Sequence, residues 1–130
     1  MKPRVLADSG FFIGPARKRR APFHLIEEYR DRYEFLTCGM VEFEVLRGIR
    51  DTRARQEATA HFAQLHYQPM KRSTWAHARD IAQRLDEQGT PIPPQDTIIA
   101  ACALEARAAV LTNDQHFLRI PGLLVLPFSI

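Results

Sequence analysis

The stretch Ala109-Val110-Leu111-Thr112-Asn113-Asp114, near the end of this 130-residue chain, has a counterpart near its beginning, Val5-Leu6-Ala7-Asp8. Each is a short apolar run that ends on an aspartate. In an α/β sheet, strands that share a direction put their carboxyl ends on one edge, and ligands bind there. If both runs are parallel strands, Asp8 and Asp114 meet at that edge. Clustered carboxylates repel one another unless a cation or shared protons hold them. The first expectation is therefore a metal-dependent site.

The bulk numbers leave room for this. Residues 1–130 suffice for one domain with a real core. Hydrophobic content is 45% and charged content 25%, both ordinary for a soluble globular protein. No apolar run approaches the ~20 residues of a membrane span. The start, Met1-Lys2-Pro3-Arg4-Val5, runs into a strand without a signal-peptide layout. Cys38 and Cys102 are too few and too far apart for a disulfide framework or a zinc knuckle, and they read as small core fillers. A reducing, cytoplasmic setting is expected. The net charge is +3. That excess is modest, but if several acids sit in one pocket the remaining surface is more basic still, which suits a polyanion held for metal-assisted chemistry. A plain solubility charge explains the composition equally well.

Working outward from the two runs, strands and helices alternate. Arg4 to Asp8 reads as a buried strand. Ser9-Gly10 reads as a turn into Phe11-Phe12-Ile13, broken at Gly14-Pro15 and followed by the basic loop Arg17-Lys18-Arg19-Arg20. Residues 23–33 read as a helix, Glu34 to Thr37 as a strand, Gly39 to Ile49 as a helix and Thr52 to His66 as another. Tyr67 to Met70 can form a strand. Ser73 is a suitable N-cap for a helix with Trp75, Ala78, Ile81, Ala82 and Leu85 on one stripe, stopped by Gly89 and Pro91. Pro93-Pro94-Gln95-Asp96 opens a strongly apolar helix that ends at Ala106. Ala109 to Thr112 is a strand, Gln115 to Arg119 a helical turn and Leu123 to Leu126 a last strand. This alternation means an α/β fold with a mostly parallel sheet.

Two further acids join the pair. Asp96 opens a helix whose body, Ile98 to Leu104, is nearly all apolar, so the helix is buried and its start lies near the sheet edge. The plain alternative is an aspartate that caps free N–H groups. The fourth acid lies in Gly39-Met40-Val41-Glu42-Phe43-Glu44-Val45-Leu46-Arg47-Gly48. Helical spacing puts Glu42 among Val45, Leu46 and Ile49, and Glu44 at the edge of that face. Periodicity does not select Glu44. His24, His61, His66, His77 and His116 show no metal-ligand spacing. His116 alone is near a motif, and it reads as an exposed turn residue. Trp75, Phe62 and Phe117 read as core. No glycine-rich nucleotide loop is present.

Four segments then resemble, in order and spacing, the acidic motifs of PIN-domain ribonucleases, above all the VapC-type toxins of toxin–antitoxin modules. They are Val5-Leu6-Ala7-Asp8-Ser9-Gly10, Glu44-Val45-Leu46-Arg47-Gly48, Asp96-Thr97-Ile98-Ile99-Ala100-Ala101 and Leu111-Thr112-Asn113-Asp114-Gln115-His116-Phe117. The likeness covers nearly the whole chain, including Ile120-Pro121-Gly122-Leu123. Each motif alone is weak, and the set of four is fairly specific. The family places glycine four residues after its glutamate, which selects Glu44 over Glu42. It often has threonine after the first aspartate, where this chain has Ser9 and retains the hydroxyl.

The resemblance implies a PIN-like α/β/α sandwich with a mostly parallel central sheet. It makes Asp8, Glu44, Asp96 and Asp114 the catalytic and metal-binding carboxylates of a Mg²⁺- or Mn²⁺-dependent endoribonuclease. Hard divalent cations prefer carboxylate oxygens, and a bound ion activates water against a phosphodiester. Asp8 and Asp96 are the leading direct ligands, then Asp114, with Glu44 acting through water. Thr112 and Asn113 can bond a phosphate or fix a carboxylate, and turn chemistry explains them as well. Arg17, Arg19 and Arg47 are candidate contacts to RNA, although a solvated loop and an i,i+3 pair with Glu44 explain them too. The implied partners are an RNA substrate, a cognate antitoxin and a second copy in a homodimer, within a larger toxin–antitoxin complex. No membrane is implied. The rival reading is a PIN-like module that binds RNA or protein without turnover. A phosphotransfer receiver, a third reading, lacks its adjacent acids and late lysine here.

Overall fold

The computed structural model describes residues 1–17 and 23–129. Five strands form one sheet: β1 (Arg4–Ala7), β2 (Glu34–Cys38), β3 (His66–Gln68), β4 (Ala109–Leu111) and β5 (Val125–Leu126). Their order is β3-β2-β1-β4-β5 and every pair is parallel. The expected mostly parallel sheet is thus wholly parallel among the described residues. Val5, Leu6, Val110 and Leu111 are fully buried, as the central strands of a sheet covered on both faces must be. The register sets Ala7 beside Leu111, and the Asp8 amide donates to the Leu111 carbonyl at 3.1 Å. One step further along both chains, Asp8 stands next to Thr112.

Six helices connect the strands: α1 (Ser9–Arg17), α2 (His24–Tyr29), α3 (Gly39–Arg47), α4 (Thr52–Phe62), α5 (Arg72–Glu87) and α6 (Pro94–Ala106). A 3₁₀ turn over Gln115–Arg119 follows β4. In α6 both sides are covered, since Ile99 to Ala103 are all fully buried. A helix apolar all round is a buried helix. Cys38 and Cys102 are buried and free, as core fillers should be.

Several local expectations need correction. The segment after Asp8 is no turn: α1 starts at Ser9 and continues through Gly14 and Pro15. Proline inside a helix costs about 3 kcal/mol. Burial of Phe11 and Phe12 offsets that cost. Phe11 packs on Phe128 at 5.0 Å between centroids, and Phe12 on Phe62 at 5.0 Å. Ser73 is not an N-cap. Lys71 holds that position, its amide donating to Thr74 Oγ1 at 2.9 Å, while Ser73 Oγ donates to Glu105 Oε2 at 2.8 Å and ties α5 to α6. Trp75 is 42% exposed rather than core, whereas Phe62 and Phe117 are buried as expected. The apolar repeat of α5 records only Ala78, Ile81 and Leu85 turned inward.

The start of α3 matters for the site. It follows β2 without a spacer, and Gly39 is its first residue. A Cβ at Gly39 would lie 3.0 Å from Tyr67 Oη and 3.5 Å from Met70 Cε. Glycine therefore lets α3 leave the sheet edge under the β3 side chains, which sets where its glutamates lie.

Candidate active site

The carboxyl edge of β1 and β4, the first turn of α6 and the middle of α3 enclose a cleft of 460 Å³. Asp8, Glu44, Asp96 and Asp114 all line it. All four expected carboxylates are thus brought together, from four different elements.

Each acid is positioned by local chemistry. Asp8 follows the last residue of β1, and its Oδ1 accepts the Ser9 amide at 2.7 Å. Its Oδ2 accepts the Thr112 hydroxyl at 3.0 Å. The same Thr112 Oγ1 accepts the Asp114 amide at 3.0 Å. One buried hydroxyl thus links the two aspartates of the opening pair. Asp114 caps the 3₁₀ turn, its Oδ1 accepting the His116 amide at 2.9 Å. Asp96 is not an N-cap. Pro93 holds that position, and Asp96 sits in the first turn, where the helix dipole favours negative charge.

The choice between the two glutamates is a matter of helix geometry. Val41 and Val45 form the buried stripe of α3. At about 100° per residue, Glu42 and Glu44 flank that stripe on opposite sides. Glu44 opens toward Asp8 and Asp96, and Glu42 lies on the side of Thr37 and Tyr67. Glu44 Oε1 is a buried oxygen without a hydrogen-bond partner. A carboxylate oxygen in that state is costly unless a cation or a proton meets it.

The electrostatics agree. Burial lifts the Asp8 carboxyl to about 6, against the pull of the Thr112 hydroxyl and with added repulsion from Asp96 and Glu44. Burial likewise raises Asp96, with repulsion from Asp114, while His116 opposes the rise. Glu44 is raised by burial and then by Asp96, with the Ser9 hydroxyl acting the other way. Three acids desolvated by burial and crowded beside a fourth, one with an orphaned oxygen, fit a divalent cation.

His116 is the residue that sequence reasoning missed. It sits on the 3₁₀ turn with a part-exposed side chain, as expected, but its ring is turned onto two of the acids. Its Nδ1 stands 3.0 Å from Asp96 Oδ2 and 3.2 Å from Asp114 Oδ1. Asp96, Asp114 and His116 each offer one ligand atom, all within 4.8 Å of one another. The available signal was the two-residue offset from Asp114: a capped 3₁₀ turn folds residue i+2 back over its cap. The other candidate substrate contacts have protein partners of their own where they are described. Asn113 lines the cleft, but its Nδ2 donates to the Phe128 carbonyl at 2.9 Å and its Oδ1 accepts the Phe128 amide at 3.0 Å. Its amide group clamps the C-terminal segment instead of waiting for a phosphate. Arg47 does not line the cleft, and its guanidinium lies over the Phe43 ring, 5.9 Å from the centroid. The side chains of Arg17 and Arg19 lie outside the described residues.

The PIN-domain family model matches residues 5–123, nearly the whole chain. The chain belongs to the PIN-domain family. PIN domains are generally nucleases and use divalent metals, and the acidic cluster described here is where such an ion fits. The fold is shared with solved structures. VapBC2 from Rickettsia felis, bound to a fragment of its promoter DNA, aligns with a TM-score of 0.80 at 18% identity, covering 97% of this chain and 99% of that one. DNA-bound VapBC from Salmonella typhimurium aligns at 0.79 with 23% identity, over 99% and 100% of the two chains. VapBC-1 from nontypeable Haemophilus influenzae aligns at 0.79 with 20% identity, over 95% and 97%. At these identities the likeness is one of fold. No curated protein matches the sequence. Among the described residues, no helix is long and apolar enough to cross a membrane.

Proposed function

We propose that this PIN domain, read as one unit over residues 1–130, is a metal-dependent endoribonuclease acting as the toxin of a type II toxin–antitoxin system. The observation that carries the reading is the convergence of Asp8, Glu44, Asp96 and Asp114 in one cleft, with Glu44 Oε1 buried and unpaired. Mg²⁺ or Mn²⁺ bound there supplies a water of lowered pKa and offsets charge on the phosphate.

The residues of the chain do the rest. Asp8 and Asp96 are the principal ligands, being the two most buried acids of the cleft. Thr112 holds Asp8 through Oδ2 and the Asp114 backbone through its amide, so the two strand-end acids keep their spacing as substrate arrives. Glu44, which lines the cleft and whose affinity for protons is raised, accepts a proton from the attacking water. The basic excess of the surface draws the polyanion toward this acidic cleft. Resemblance of fold along the whole chain to VapBC structures supports an antitoxin partner; a homodimer within a larger complex, in the cytoplasm, belongs to the same reading.

The test is cleavage of RNA by the purified chain with Mg²⁺ or Mn²⁺ and with EDTA, beside Asp8→Asn. Metal-dependent scission that the variant lacks supports the reading, together with growth arrest on expression of the wild type only. Equal cleavage by the variant refutes the site, and no cleavage under either metal refutes the activity.

A further inference from the structure

We propose that His116 is itself a ligand of the bound ion, through Nδ1, and that its imidazole tilts the site toward Mn²⁺ over Mg²⁺. This rests on the metal-dependent reading above and adds a nitrogen to what the sequence motifs present as an all-carboxylate site.

The geometry comes first. The separations of 3.0 Å to Asp96 Oδ2 and 3.2 Å to Asp114 Oδ1 are those of neighbouring ligands on one ion. An octahedral ion with bonds of about 2.1 Å spaces adjacent ligand atoms about 3.0 Å apart. The ring therefore needs little movement to share an ion with both aspartates. Its place is also set by the chain. Phe117, the next residue, is fully buried, and Asp114 Oδ1 holds the His116 amide. Behind that cap, Thr112 Oγ1 accepts the Asp114 amide. A side chain built on so constrained a turn stays over the carboxylates.

The chemistry of the cleft gives the ring its importance. Among the described residues no lysine or arginine lines the cleft, so the imidazole is its one nitrogen base. Without an ion, Nδ1 bridges Asp96 and Asp114 as a hydrogen-bond donor. With an ion, the ring carries its proton on Nε2 and Nδ1 offers an electron pair. Mg²⁺ favours oxygen and dehydrates reluctantly, whereas Mn²⁺, although it also takes carboxylates, is a transition ion and accepts an imidazole nitrogen more readily. An Asp-Asp-His face thus separates Mn²⁺ from Mg²⁺ more than an all-carboxylate one does.

The experiment is Mn²⁺ binding to the full chain followed by electron spin echo spectroscopy, with Mg²⁺ and Mn²⁺ affinities measured by calorimetry. The wild type should show ¹⁴N modulation on bound Mn²⁺, replaced by a ¹⁵N signal after histidine labelling. His116→Gln should abolish it, weaken Mn²⁺ about tenfold and change Mg²⁺ by less than about threefold. Bound Mn²⁺ without nitrogen coupling in the wild type overturns the assignment, as does failure of Mn²⁺ to bind. The wild-type spectrum decides the point even if the variant folds poorly. Equal weakening of both ions in the variant overturns the selectivity. RNA cleavage measured in parallel separates the two readings. Nitrogen-coupled Mn²⁺ with no cleavage sinks the nuclease and keeps the ligand, and cleavage with nitrogen-free Mn²⁺ does the reverse.

Discussion

Replacing Asp8 by asparagine should make the ion-free protein more stable while it removes function. The carboxyl of Asp8 is held near pH 6 instead of 3.8, chiefly because it is buried. At neutral pH and above, that difference penalises the ionised, folded form by about 3 kcal/mol. The folded-state value lies above the unfolded one, so the penalty is absent below about pH 4 and grows as pH rises through about 6. Asparagine carries no charge and escapes it. It loses something in return. Its single oxygen can keep the Ser9 amide, but its NH₂ group meets a Thr112 hydroxyl that already accepts from Asp114. One imperfect hydrogen bond costs about 1 kcal/mol. The balance is a gain of about 1–2 kcal/mol at pH 8 in EDTA, or about 3–6 °C in melting temperature for a chain of this size. Thermal and urea melts at pH 8 and pH 4 provide the assay. At pH 4 the gain should vanish or reverse. Saturating Mn²⁺ at pH 8 should invert the order, because ligand at a hundredfold over Kd adds about 2.7 kcal/mol to the wild type alone. Equal destabilisation by Asp8→Asn at both pH values would refute the reasoning, since the carboxylate would then be a supporting group and not a strained one.

The remaining expectations are quick to state. Glu44→Gln should reduce metal-dependent RNA cleavage by about a hundredfold or more, the usual range for a proton acceptor, while Glu42→Gln stays near wild type. The opposite ranking would transfer the role to Glu42. Thr112→Val should cost about 1–3 kcal/mol in urea melts by orphaning the Asp114 amide, and should lower cleavage by loosening Asp8. Thr112→Ser, which keeps the hydroxyl, should recover most of the activity, and failure of that rescue counts against the bridge. Asn113→Ala should cost about 1–2 kcal/mol through its two bonds to Phe128 and alter RNA affinity little. A loss of binding without loss of stability would restore Asn113 as a substrate contact.

How much of the site can be read from sequence depends on what each residue's burial records. Asp8 announces itself, because a buried strand must be apolar and its first polar residue marks the sheet edge, and Asp114 follows β4 at the same edge, behind Thr112 and Asn113. Asp96 is nearly as clear, standing ahead of a helix with no polar face. Glu42 and Glu44 are different. Both flank the buried Val41–Val45 stripe, one on each side, and burial along one helix does not say which neighbour lies on which side. Only the motif resemblance chose Glu44, and packing of α3 against α1 and α6 puts it in the cleft. The helix through Pro15 was hidden for a related reason, since Phe11 and Phe12 are held by Phe62 and Phe128 from distant parts of the chain.

By itself, then, the sequence determined the alternation of strands and helices, the shared edge of the first and fourth strands, and the four acids in order. Tertiary structure alone decided what faces those acids. It turned His116 onto Asp96 and spent Asn113 on Phe128. The physical reason is the same in each case. Apolar patterning is a local record of which residues leave water, whereas partnership among polar side chains is settled by elements that are close in space and far apart in the chain.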